Sequence, residues 1–158
     1  MMPVYETWSA ERTAEIIAQH VDQPGALLSI LHGVQAAFGC IPEPAVPMVA
    51  DALNLSRAEV HGVVTFYHDF RREPPGRHVL KLCRAEACQA AGCDALAERA
   101  QTKLGVALGE TTADERVTLE ATYCLGLCAV APSAMFDDRV IGRLDAKRLD
   151  ALLKDTWA

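Results

Sequence analysis

The chain has no run of lysines and arginines, no apolar stretch of membrane-spanning length, no Cys-x-x-Cys and no glycine-rich phosphate loop. Each absence removes a class of function. Proteins that track a nucleic-acid backbone need a basic face, whereas here 15 Lys and Arg stand against 21 Asp and Glu, a net charge of -6. The longest mostly apolar segment, GALLSILHGVQAAFG at 25–39, carries His32 and Gln35 and falls short of the roughly 20 residues that span a bilayer. The opening residues, MMPVYETWSAERTAEIIAQH, lack the cationic start and apolar run of a secretory leader. A soluble, cytoplasmic protein with no membrane span and no nucleic-acid partner is expected. Without Cys-x-x-Cys a disulfide-exchange enzyme is disfavoured, and without a phosphate loop no nucleotide site is expected on this chain.

What is present is length enough for a real core, and a change of pattern halfway along. The 158 residues suit one average domain, or a small one with a helical appendage. The first seventy read as helical. Ser9 can cap a helix with the stripe Ala10, Ala14, Ile17 and Val21, and Leu27, Leu31, Val34 and Phe38 mark a second helix ending at Gly39. Val46, Val49 and Leu53 offer a third, and Ser56 to Glu59 form a capping box opening a fourth. The polar, Pro/Gly-rich RREPPGR at 71–77 marks a boundary. This gives an N-terminal helical bundle over 1–72 and a second domain over 77–158. In the second domain HVLKLC reads as a strand, 88–104 as one helix closed by Gly105, and RVTLEATYC as another strand. SAMFDDRVIGRL reads as a hairpin turning at Asp137-Asp138, and Asp145 can cap a last helix lined by Leu149, Leu152 and Leu153. That order implies a small α/β sandwich.

The six cysteines are the chemical content of the chain. In a reducing compartment clustered cysteines point to metal or catalysis rather than to disulfides. Cys83 ends a strand, and a four-residue loop can fold it back toward Cys88 at a helix start. Cys124 and Cys128 bracket a loop whose Gly126 permits a tight wrap of N–H groups toward sulfur. The pattern is C-x4-C, 35 intervening residues, then C-x3-C. On a continuous helix Cys93 would point roughly 140° away from Cys88 and line up with Leu96, Ala97, Ala100 and Leu104, so packing is expected of it. Cys40 is read the same way. Spacing leaves three readings open: a 2Fe-2S cluster on four thiolates, a structural four-cysteine zinc, or unligated thiols. No histidine adjoins either pair, as a Rieske centre would need.

Taken together, LCRAEACQAAG and GETTADERVTLEATYCLGLCAVAP resemble the thioredoxin-like 2Fe-2S ferredoxin subunits of respiratory complex I and its relatives. Upstream, LLSILHGVQAAFGCIPEPAVPMVADALNLSRAEVHGVVTFYHDF resembles the helical region of the same family. The likeness covers roughly residues 20 to 153. It implies an α/β thioredoxin-like 2Fe-2S domain preceded by a small helical bundle, with Cys83, Cys88, Cys124 and Cys128 as cluster ligands and no catalytic residue on this chain. FYHDFR and CRAEAC look most like the gamma subunit of a cytoplasmic NAD-dependent molybdenum or tungsten formate dehydrogenase. Beside it stand an NAD-linked hydrogenase diaphorase and complex I itself. The resemblance implies that FMN, NAD and molybdopterin sit on partners, a flavoprotein subunit and a formate-oxidising subunit, and that the helical region docks on the flavoprotein. The rival of another class is a zinc-stabilised interaction module.

Overall fold

A computed structural model describes residues 5–155. The chain divides between Pro74 and Pro75 into two compact units. No helix among the described residues is long and apolar enough to cross a membrane.

The first unit holds α1 (Ala10–His20), α2 (Ala26–Phe38), α3 (Ala45–Leu53) and α4 (Arg57–Phe66). Local signals set most of these limits. Ser9 Oγ accepts from the Arg12 N–H at 3.1 Å, and Ser56 and Glu59 form the reciprocal capping box. α2 stops at Gly39, whose φ of +78° a glycine adopts without steric cost. Ile30, Leu31, Val34, Val49 and Val60 are fully buried in one core. Gln35 pins the segment after α4: its Nε2 donates to the Asp69 carbonyl and its Oε1 accepts from the Arg71 N–H, both at 2.7 Å. Phe70 is thereby packed into that core.

One expectation holds only in part: Ile17 is buried and Val21 packs against the core. Ala10 and Ala14 of α1 are exposed, and the buried face is Thr13, Ile16 and Ile17. The expected stripe is phased on alanines, yet Thr13 can be buried because its hydroxyl donates to the Ser9 carbonyl at 2.9 Å. A satisfied hydroxyl costs little to bury, and two isoleucines outweigh two alanines in apolar area.

The second unit holds β1 (His78–Cys83), α5 (Glu86–Ala90), α6 (Cys93–Leu104), β2 (Glu110–Thr111), β3 (Val117–Thr122), β4 (Ala134–Phe136), β5 (Arg139–Ile141) and α7 (Ala146–Asp155). The sheet order is β2-β3-β1-β4-β5. β1 and β3 run parallel, Cys83 level with Thr122, and every other pairing is antiparallel. Leu80, Leu119, Ala134 and Leu149 are fully buried between sheet and helices. α6 touches β1, β3 and α7.

The hairpin turns at Asp137-Asp138 as expected, with Asp137 at φ +50°. Asp145 Oδ1 accepts from the Arg148 N–H at 2.8 Å, as a helix cap should. One reading is corrected and one strand is unexpected. The single helix over 88–104 is two, because Gly92 sits at φ +86° between α5 and α6, a backbone conformation that interrupts a right-handed helix. The two-residue β2 escapes any periodicity test. It exists because Glu110 and Thr111 pair with Leu119 and Thr118.

Candidate metal centre

Parallel pairing of β1 with β3 decides where the cysteines go. Both strands run out at the same end of the sheet, Cys83 beside Thr122, so both cysteine loops start from one place. The Cys83 N–H donates to the Ser133 carbonyl at 3.0 Å and the Arg84 N–H to the Thr122 carbonyl at 2.8 Å. These bonds tie the first loop to the chain on either side of the second.

Cys83 and Cys88 form the inner pair, each 2% exposed. Cys88, in α5, lies with its Sγ 3.5 Å from Ser133 Oγ. Cys124 and Cys128 form the outer pair and are exposed, their sulfurs 3.6 Å apart. Cys124 holds φ +85°, a strained backbone for a residue with a Cβ. That conformation turns the loop so that the Gly126 N–H donates to Cys124 Sγ at 3.4 Å. RVTLEATYC therefore stops being strand at Thr122, short of its cysteine. The outer loop is anchored behind by the Arg143 N–H on the Val130 carbonyl at 2.6 Å and the Leu144 N–H on the Pro132 carbonyl at 2.9 Å. Val130 lies so close over Gly142 that a Cβ there would fall 2.5 Å from its Cγ2.

N–H groups of the outer loop reach the sulfur of Cys83 in the inner pair. Burial pushes the Cys83 thiol up, but the Ala85 N–H, the Cys88 thiol and the N–H groups of Leu125 and Cys124 together bring it down to about 7. Those donors come from both loops. Cys128 is pushed the other way, first by its hydrogen bond and charge interaction with Cys124, with burial, Cys88 and Cys83 adding to it. Thiolates gathered at one place repel one another. A cationic centre removes the conflict. Among the described residues no three Cys, His, Asp or Glu side chains converge on one point; the thiols come two and two. That donor set fits two irons, each held by a pair of thiolates, as in a 2Fe-2S cluster.

Cys93 lies nearer than helical phase implies. The break at Gly92 removes the continuous helix on which that expectation rests, and Cys93 packs with Cys83, Cys88, Ala85, Leu125 and Ala131. Burial first, then the charge of Asp94, pushes its thiol up. Cys40 belongs to the first unit, buried and likewise pushed up by burial and by Glu73. His78 stacks on Phe136 and contacts Asp137 Oδ2 at 3.0 Å. Sequence reasoning misses Ser133, Gly142 and the Arg84–Asp94 ion pair. No local pattern marks them, since each meets the site only through the sheet or the helix break.

A family model described as thioredoxin-like [2Fe-2S] ferredoxin matches residues 13–156. An NADH-quinone oxidoreductase subunit of Rhizobium meliloti (strain 1021) is 40% identical over 137 residues, 87% of this chain and 82% of that protein. The corresponding NADH-quinone oxidoreductase subunit of Escherichia coli (strain K12) is 35% identical over 152 residues, 95% of this chain and 92% of that protein. The NADP-reducing hydrogenase subunit HndA of Solidesulfovibrio fructosivorans is 31% identical over 131 residues, 83% of this chain and 77% of that protein. Among solved structures, a chain of NAD+-reducing [NiFe]-hydrogenase in the air-oxidized state superposes with a TM-score of 0.72 at 30% identity. The match covers 88% of this chain but only 24% of the hydrogenase chain.

Proposed function

The chain belongs to the thioredoxin-like 2Fe-2S ferredoxin family, and from that premise we propose that it is an electron-transfer subunit. Its cluster would be held by Cys83, Cys88, Cys124 and Cys128. The observation that carries the ligand set is Cys83, whose sulfur is acted on by N–H groups from both cysteine loops. When bound, the cluster supplies one-electron transfer. The chain's own residues would shield one side of it and leave the other open, since Cys83 and Cys88 are buried and Cys124 and Cys128 exposed. N–H donors such as that of Gly126 stabilise charge on sulfur. The exposed side is the face at which a redox partner can approach.

The substrate chemistry would lie on other subunits. The relatives named as NADH-quinone oxidoreductase subunits and as a hydrogenase subunit support an NAD-linked assembly. Within that group, FYHDFR at 66–71 and CRAEAC at 83–88 favour a cytoplasmic formate dehydrogenase. In that setting FMN and NAD would sit on a flavoprotein subunit and molybdopterin on the formate-oxidising one. The helical unit would dock on the flavoprotein. Its helices turn most of their apolar area inward, but Phe66 and Tyr67, in edge-to-face contact, remain 73% and 43% exposed at the end of α4, and aromatics of this kind are favoured at interfaces.

Two measurements test the reading. EPR of the anaerobically purified, reduced chain should show one S = 1/2 signal at about one spin per chain, as a single 2Fe-2S centre with four cysteine ligands requires. A silent chain carrying stoichiometric zinc would replace electron transfer with a zinc-stabilised docking module. Native purification through a tag on this chain then separates the assemblies. Formate-dependent NAD+ reduction supports the formate dehydrogenase, whereas hydrogen-dependent reduction or quinone reduction assigns the chain elsewhere.

A further inference from the structure

Arg84 follows the first cysteine of the site directly, and its guanidinium is held in place. Its Nη2 lies 2.8 Å from Asp94 Oδ1, while its Nε is buried with no hydrogen-bond partner. Asp94 sits in the first turn of α6, where the helix dipole favours a carboxylate. The same Oδ1 accepts weakly from Cys93 Sγ at 3.8 Å, and Cys93 packs in one buried cluster with Cys83 and Cys88. A charged pair is thus joined, contact by contact, to the inner cysteines. Folding stability is a poor account of it. A partly exposed ion pair contributes little, and an arginine nitrogen buried without a partner is unfavourable.

We propose that the Arg84–Asp94 pair sets the reduction potential of the cluster. The inference rests on the ligand set proposed above. Arg84 is a positioning residue for charge and not a ligand. The couple takes up one electron, no bond in the chain forms or breaks, and the added negative charge is what the pair responds to. A fixed cation beside the inner cysteines favours the reduced state and raises the potential; the carboxylate opposes it.

An EPR-monitored redox titration of the full-length chain at neutral pH tests this, with spins counted in every variant. Arg84→Gln should lower the midpoint and Asp94→Asn should raise it. The double variant should return toward the parent value, and Arg84→Lys should stay near it. At a fixed ambient potential the reduced-to-oxidised ratio should fall several-fold in Arg84→Gln, a tenfold fall being about 59 mV for one electron. Opposite signs are the signature, because loosened packing would not invert with the charge removed. Midpoints unchanged in both single variants, or displaced in the same direction, overturn the inference. Should Arg84→Gln fail to hold a cluster, Asp94→Asn decides alone: a raised midpoint supports the pair, an unchanged or lowered one overturns it. A parent chain without any EPR signal removes the cluster reading itself, an outcome distinct from unchanged midpoints at full spin count.

Discussion

Cys83 and Cys93 are both buried thiols, each within a few per cent of full burial, yet their chemistry differs. N–H donors bring the Cys83 thiol down to about 7 despite burial, the largest opposing influence. Cys93 meets the carboxylate of Asp94 and is pushed up, by burial first and then by that charge. Replacing Cys83, Cys88, Cys124 or Cys128 by Ser should abolish or distort the EPR signal, and Cys93→Ser should leave about one spin per chain. A signal lost in the Cys93 variant and retained in one of the four would overturn the ligand set. Gly142 gives a second test at this scale. A Cβ there meets Val130 at 2.5 Å, and overpacking of that kind costs about 1–3 kcal/mol. Val130 ends the short 3-10 turn that begins at Cys128. Gly142→Ala should therefore lower thermal stability and speed cluster loss, followed as decay of visible absorbance, although it touches no sulfur.

Among the elements, α6 and α7 are joined at the surface by Asp150, which accepts from Arg99 Nε at 2.8 Å and Nη2 at 2.7 Å and lies 3.1 Å from Lys103 Nζ. The Arg99 hydrogen bonds hold its carboxyl well below the usual range; burial opposes them and Lys103 adds to them. A lowered folded value means that the stabilisation is present above the ordinary aspartate range, about pH 4, and is lost as the pH falls through the folded value. Asp150→Asn should lower the melting temperature modestly at neutral pH. That difference should shrink in acid and in high salt, since the group is partly exposed and screened. A variant equally destabilised at every pH would show that the pair acts by shape and not by charge. Elements also mark where the sequence is hard to read. Gly92 is visible in QAAGCD, but Cys93, Leu96, Ala97 and Ala100 keep helical phase straight after it, so the interruption leaves no trace in the periodicity.

On the scale of the whole molecule, the chain divides between Pro74 and Pro75, and each side has its own buried apolar cluster. The four candidate ligands all lie on the later side. A fragment of residues 75–158 should therefore fold and take up the cluster, with an EPR signal like that of the full chain. A fragment of residues 1–72 should be helical and colourless. An unfolded 75–158 fragment, by circular dichroism, would show that its core is insufficient alone. Such a result would bear on the division of the chain, not on the ligands.

The sequence by itself determined what is local. Ser9, Ser56, Gly39 and Asp145 act on backbone groups within a few residues of themselves, so the ends of their helices are readable. The intervals between Cys83 and Cys88 and between Cys124 and Cys128 are likewise loop-sized, and they identify two thiol pairs wherever those pairs end up. Their meeting is not local. It depends on β1 pairing in parallel with β3 across the 35 residues between Cys88 and Cys124. Only that register puts both loops at one end of the sheet and carries the N–H groups of Leu125 and Cys124 to the sulfur of Cys83. The burial of Thr13 and the approach of Ser133 to Cys88, 45 residues away in sequence, were decided in the same way. Each depends on which distant surface arrives, and a long-range contact has no signature in the residues that make it.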